Sequence, residues 1–246
     1  MSSPIYWMLA HSDQAAREAA QVLSPAELQR YSAFRFPKRR DEWFLGRCTA
    51  KALAHSLPAY REYSLNQIEI RNALEGAPFL QLPERAVPAE CLSLSHSGDL
   101  AVCALAPGLE LQVGADLEKV EARTETFILD YFTSTERQLV EKCPPESRAM
   151  LVTLIWSAKE SMLKALGVGL RRDTRMVEVQ ALAGGLQVRA EPAQWQTLQV
   201  AEQSDDGKTW AAWWQRRDPY VLTLAACAAS STAIPSIQLL EQQVEE

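Results

Sequence analysis

Two stretches of the chain carry residue types that can act together on a charged group. In Val113-Gly114-Ala115-Asp116-Leu117-Glu118-Lys119 an apolar run ends in acid. A strand puts side chains two apart on one face, so Asp116 and Glu118 share a side at about 7 Å. In Trp156-Ser157-Ala158-Lys159-Glu160-Ser161-Met162-Leu163-Lys164-Ala165-Leu166-Gly167, Glu160 and Lys164 stand one helical turn apart, so a carboxylate and an amine share a face. Paired carboxylates suit a hard divalent cation. Magnesium takes one or two, keeps several waters and completes its octahedron with phosphate oxygens; Glu160 would add a third carboxylate. Each motif alone has an ordinary reading, a solvated strand end or a surface Glu-to-Lys pair worth about 0.3–0.5 kcal/mol. Their coincidence in one chain is what points to a site.

These groups need rigid elements. Leu151, Ile155, Ala158, Met162 and Leu166 fall within about 80° of one another, an apolar stripe that predicts a helix from Ser147 to Leu166 with Glu160 and Lys164 on the opposite face. Gly167 is a natural left-handed cap. Upstream, Thr133-Ser134-Thr135-Glu136 is a capping box, and Glu136 is read as structural rather than metal-binding. Ser24-Pro25-Ala26-Glu27 starts an earlier helix in the same way, with Leu28 and Tyr31 turned inward. A further helix runs from Lys38 to Ser56 and stops at Pro58. On it Arg40, Arg47 and Lys51 project within about 40° of one another with no interposed acid. That face is a local anion site, extended by Lys38 and Arg39, or else a solvated basic surface.

Strands are expected over Ile5–Leu9, Ser64–Glu75, Cys91–Ser95 and Leu100–Ala106, the last two joined through Gly98-Asp99 with His96 at the hairpin tip among hydroxyls. Pro107–Glu110 is the candidate link between two halves, 1–109 and 110–246. Later strands are Met176–Leu182, Leu186–Glu191, Leu198–Glu202, Trp210–Gln215 and Tyr220–Cys227, and the polar tail Ile234–Glu246 is expected to be mobile. Phe44–Leu53 echoes Ile155–Leu166, with Lys51-Ala52-Leu53 matching Lys164-Ala165-Leu166, a weak hint of duplication.

Composition narrows the class. The 246 residues are 47% hydrophobic and 23% charged, ample for a core, and a net charge of −6 argues against general nucleic-acid binding. No run approaches a membrane span, and Ile5–Ala10 is too short and lacks the basic flank of a signal peptide. Five scattered cysteines without metal spacing fit reduced thiols, hence a cytoplasmic protein.

In order, Ser95-His96-Ser97, Val113–Glu118, Phe132–Glu136 and Trp156–Lys164 resemble the signature of the 4′-phosphopantetheinyl transferases. With the Gly46-Arg47 helix and the length, the likeness is to the surfactin-synthetase-activating type. The resemblance implies an α+β fold of two similar halves related by pseudo-twofold symmetry, in a monomer. It implies a holo-carrier-protein synthase that moves phosphopantetheine from coenzyme A to a serine of an apo acyl or peptidyl carrier protein, releasing 3′,5′-ADP. Asp116, Glu118 and Glu160 would then hold magnesium, Lys159 and Lys164 would face the pyrophosphate, and Ser95, His96, Arg40, Arg47 and Lys51 would hold the 3′-phosphate. Glu160, or a water held by magnesium beside it, would take the serine proton. Two departures stand out: Ala115 replaces a β-branched residue, and Ala77 stands where a lysine is common. The competing readings are an inactive coenzyme A-binding module and a carrier-binding structural partner without cofactor.

Overall fold

The starts of the helices are written in prolines and capping residues, and the computed structural model follows them. It describes residues 4–15, 18–85, 88–182, 195–203, 207–228 and 239–241. The chain divides into two compact units, Met1–Leu109 with Pro235–Glu246, and Glu110–Ile234. The last residues therefore group with the first unit, not with an unbroken 110–246 half.

In the first unit β1 (Ile5–His11) precedes the short α1 (Ala19–Val22) and α2 (Pro25–Ser32). The Ser24 hydroxyl accepts the Glu27 N–H at 3.3 Å, and the Glu27 carboxylate accepts the Ser24 N–H at 2.9 Å, so two orphan donors of the first turn are satisfied. The next helix, α3 (Pro37–Ser56), opens on a proline whose missing N–H costs nothing there and ends two residues before Pro58. It buries Leu45, Ala50, Leu53 and Ala54. The hairpin β2 (Glu69–Asn72) and β3 (Pro78–Gln81) turns through Gly76 at φ 91°, a left-handed conformation that glycine adopts without strain. Strands β4 (Glu90–Ser97) and β5 (Leu100–Pro107) form the expected hairpin, and β5 pairs antiparallel with β1.

The second unit begins with β6 (Leu111–Lys119), followed by α4 (Glu125–Tyr131), α5 (Ser134–Glu141) and α6 (Pro145–Ala165). Strands β7 (Val177–Leu182), β8 (Gln196–Glu202), β9 (Thr209–Arg217) and β10 (Tyr220–Ala228) complete a sheet ordered β6-β10-β9-β8-β7. Helix α6 packs on β6 and β10. It is not the one-sided helix its stripe suggested, because every residue from Met150 to Lys159 is buried. The sheet covers one side, while Phe127 and Tyr131 of α4 pack edge-on against Trp156 on another. Its end is as expected: Gly167 takes φ 69° and the Val168 N–H reaches the Leu163 carbonyl at 3.2 Å.

The final strand, β11 (Leu239–Glu241), runs parallel to β1, giving the first unit a sheet ordered β11-β1-β5-β4. Part of the tail expected to be mobile is thus a strand. The strand expected at Leu186–Glu191 and its turn at 183–185 lie outside the described residues. Both units are α+β: a long helix packed on a mainly antiparallel sheet. No helix among the described residues is long and apolar enough to cross a membrane.

Candidate functional site

In the second unit, Asp116, Glu118 and Glu160 meet. One ligand oxygen from each lies within 4.8 Å of the others. Strand β6 supplies the first two from one face, as the two-residue period requires. Helix α6 supplies the third because it lies unusually close to β6 at Gly114. A Cβ on that residue would fall 1.7 Å from the Ser161 carbonyl oxygen and 2.7 Å from the Ala165 nitrogen, so only glycine permits this approach. At the level of Asp116, its ladder partner Thr223 hydrogen-bonds Ser157 of α6 at 2.9 Å and fixes the helix on the sheet.

Lys164 joins the cluster. Its ammonium donates to Asp116 Oδ1 at 2.6 Å and to the Ala115 carbonyl at 3.3 Å, and lies 3.7 Å from Glu160. Burial, and then the neighbouring Asp116 charge, push the Glu160 carboxyl up to about 8. Burial likewise raises Glu118, while Lys164 is raised overall by its carboxylate neighbours against burial. Three carboxylates this close repel one another, and an all-oxygen donor set of this kind is what a hard divalent cation takes.

Lys159 does not join them. It is fully buried, and its ammonium donates to both oxygens of Glu136 at 2.9 and 2.6 Å and to the Val177 carbonyl at 2.7 Å. All three donors are therefore used, which leaves none for a pyrophosphate. Burial lowers the Lys159 ammonium and raises the Glu136 carboxyl, so only their pairing makes the charges tolerable. Glu136 also closes the capping box, accepting the Thr133 N–H at 2.9 Å, and accepts the Val179 N–H at 2.9 Å. Its structural reading from the sequence is correct, and the expected role of Lys159 toward coenzyme A is corrected.

The first unit repeats this clasp. Fully buried Lys51 pairs with Glu27 and donates to the Val22 carbonyl at 2.7 Å, while Glu27 accepts the Ile70 N–H at 3.0 Å. Lys51 therefore does not belong to an open basic face. Arg47 is also buried, 3.5 Å from Glu27 and with its guanidinium 4.7 Å from the Trp43 ring centroid; burial pulls it down to about 10. Arg40 pairs with its neighbour Asp41 at 3.0 Å and stacks on Tyr31 at 5.3 Å. Of the three cations aligned on α3, Arg47 and Lys51 face Glu27 of α2, while Arg40 pairs with Asp41 of its own helix.

His96 is exposed on β4, beside half-buried Ser95. It lines a cleft of about 920 Å³ with Arg30, Arg35, Lys38, Arg39 and Trp43. A smaller cleft of about 360 Å³ is lined by Arg47 and shares Arg30 and Trp43 with the first. Arg30, Arg35 and Trp43 were not singled out from the sequence. The signal was the density of cations between α2 and α3, which periodicity along one helix does not register.

One α+β unit thus carries an acidic cluster on a strand and a helix, and the other a cationic cleft. A profile of the 4′-phosphopantetheinyl transferase superfamily matches residues 112–225. The 4′-phosphopantetheinyl transferase HetI of Nostoc sp. is 30% identical over 159 residues, covering 63% of this chain and 64% of that protein. The L-aminoadipate-semialdehyde dehydrogenase-phosphopantetheinyl transferase of Xenopus laevis is 30% identical over 169 residues, covering 65% of this chain and 54% of that protein. The chain thus spans between half and two thirds of the length of these relatives. A holo-(acyl-carrier-protein) synthase from Bacillus anthracis, solved with coenzyme A, aligns at 22% identity and a TM-score of 0.37 over 43% of this chain and 96% of its own. Over residues 112–225 the chain is thus similar to the 4′-phosphopantetheinyl transferase superfamily.

Proposed function

We propose that the chain transfers the 4′-phosphopantetheine group of coenzyme A to a serine of an apo acyl or peptidyl carrier protein. The observation that carries this reading is the convergence of Asp116, Glu118 and Glu160 with Lys164 bonded to Asp116. Asp116, Glu118 and Glu160 would hold magnesium, which when bound offsets negative charge on a pyrophosphate during displacement. Lys164 neutralises the same phosphate oxygens, a contribution that exists only where charge develops. The serine oxygen bonds to the β-phosphorus, the bond from that phosphorus to the bridging oxygen breaks, and 3′,5′-ADP leaves with that oxygen. Glu160, or a water beside it, accepts the serine proton.

In the first unit, His96 with Arg30, Arg35, Lys38 and Arg39 receives the 3′-phosphate, with Ser95 and Arg47 as further donors. Arg40 is left to a supporting role, and Lys51 and Lys159 hold the scaffold. The reading extends to a monomeric protein of the cytoplasm, which its free cysteines support.

The test is intact-mass spectrometry of apo carrier proteins incubated with the chain and coenzyme A, with and without magnesium. A metal-dependent gain of one phosphopantetheine group is the expected result. Coenzyme A binding without any gain, across fatty-acid, polyketide and peptide carriers, would leave the inactive binding module as the function.

A further inference from the structure

Glu118 has a partner that the reaction, as derived above, does not use. Arg123 Nη2 donates to Glu118 Oε2 at 3.1 Å. The arginine comes from the connection between β6 and α4, and that connection is pinned along its length. The Val120 N–H reaches the Pro219 carbonyl at 2.8 Å, the Glu121 N–H reaches Thr153 of α6 at 3.4 Å, and Thr124 caps α4 through the Phe127 N–H at 3.2 Å. The guanidinium itself lies over the Phe127 ring, 5.2 Å from the centroid. Phe127 is in turn held by Trp156, with the ring centroids at 4.9 Å. Trp156 stands one helical turn before Glu160 on α6. Arg123 therefore approaches one carboxylate of the cluster from a connection that is fixed independently of it.

We propose that Arg123 is a positioning residue for the metal site, fixing the Glu118 carboxylate toward Asp116 and Glu160 through a guanidinium that Phe127 holds in place. A lone glutamate at a strand end samples several rotamers, and each metal-binding event must order it; a charge-assisted hydrogen bond from a guanidinium that is itself held in place reduces that cost in advance. Burial, and then Asp116, raise the Glu118 carboxyl, and Arg123 and Lys164 oppose them. Asp116, Glu160, Lys164 and Arg123 are thus the charged groups that face it.

The inference rests on the reading of the three carboxylates as metal ligands, and Mn²⁺ binding to the full chain without coenzyme A tests the two separately. Free Mn²⁺ is followed by electron paramagnetic resonance for wild type, Arg123→Met and Arg123→Lys. Arg123→Met is expected to bind about tenfold more weakly, with the same increase in the magnesium needed for half-maximal transfer and an unchanged KM for coenzyme A. Arg123→Lys, which keeps the charge and loses the fork and the ring contact, should recover only part of the loss. A lower urea midpoint with an unchanged Mn²⁺ dissociation constant would make the arginine a fold staple and overturn the proposal. Tighter binding by Arg123→Met would overturn it too, by making Arg123 a competitor of the ion. Wild-type chain that binds no Mn²⁺ defeats the ligand reading and this inference together. Should Arg123→Met fail to fold, Phe127→Leu removes the ring under the guanidinium and is expected to weaken Mn²⁺ in the same direction.

Discussion

The two units use one device for different ends. Glu27 in the first and Glu136 in the second each close a capping box, accept a strand N–H 43 residues downstream and neutralise a fully buried lysine of the long helix. The lysine also ties down a carbonyl, that of Val22 in one case and Val177 in the other. This equivalence sets Lys51 against Lys159, not against Lys164, so the alignment suggested by the matching Lys-Ala-Leu runs is out of register by five residues. In the corrected register, the positions of Glu160 and Lys164 are taken by Ala52 and Ser56 in the first unit. The clasp sets the rotation of a helix; the residues beyond it decide what chemistry the helix presents.

The largest expected effect asks how closely the second unit depends on its packing. Gly114→Ala should cost on the order of 4 kcal/mol or more, because the new methyl meets backbone on α6 and backbone cannot step aside. A urea melt reads the loss. A variant of near wild-type stability would mean that α6 can lift off β6, and the cluster would then lose its fixed third carboxylate.

Next in size are the clasps themselves. Lys159→Met should destabilise by about 3–5 kcal/mol, since Glu136 is left charged and buried without a partner. Lys51→Met should cost less, because Arg47, 3.5 Å from Glu27, remains as a second cation on that carboxylate. Urea midpoints of the two variants side by side test this difference directly. Equal losses would mean that Arg47 does nothing to offset the charge left on Glu27. Folded Lys159→Met protein should also keep its KM for coenzyme A, which a lysine in contact with the pyrophosphate would not allow.

What the sequence showed and what it hid follow from range. Both capping boxes were legible because the partners are three residues apart, and the pairs Asp116/Glu118 and Glu160/Lys164 because strand and helix periods place side chains along one element; that the two pairs belong to one site came from the resemblance to a known family. The environments of Lys51 and Lys159 were not. Their acids lie 24 and 23 residues away, on other helices, and a cation seen only along its own helix looks solvated. For the same reason α6 read as half exposed: its stripe was real, but the aromatics of α4 that cover another side belong to a different stretch of chain.

Smaller effects separate the cationic cleft from the acidic cluster. Asp116→Asn, which keeps shape and removes charge, should lower kcat by roughly 10²–10³-fold, several kcal/mol of charge stabilisation. His96→Ala should raise the KM for coenzyme A about tenfold with kcat within a few-fold, because a contact remote from the reacting atoms binds ground and transition states alike. Steady-state kinetics at saturating magnesium distinguish the two. A His96→Ala variant that lost kcat instead would place the imidazole near the reacting phosphate, and the division of labour between the two units would have to be redrawn.

The smallest effect is a gain. Gly46 lies inside α3, where a Cβ would meet nothing within 4 Å, whereas Gly114 has no such room. Glycine in a helix interior costs roughly 0.5–1 kcal/mol relative to alanine, through the conformational freedom lost on folding. Gly46→Ala should therefore stabilise the chain by about that amount, read as a higher urea midpoint with unchanged slope. The comparison sharpens further if the same variant raises the KM for coenzyme A: the space beside Gly46 would then be used by the ligand, and its glycine kept for close approach as Gly114 is, with the nucleotide in place of a helix.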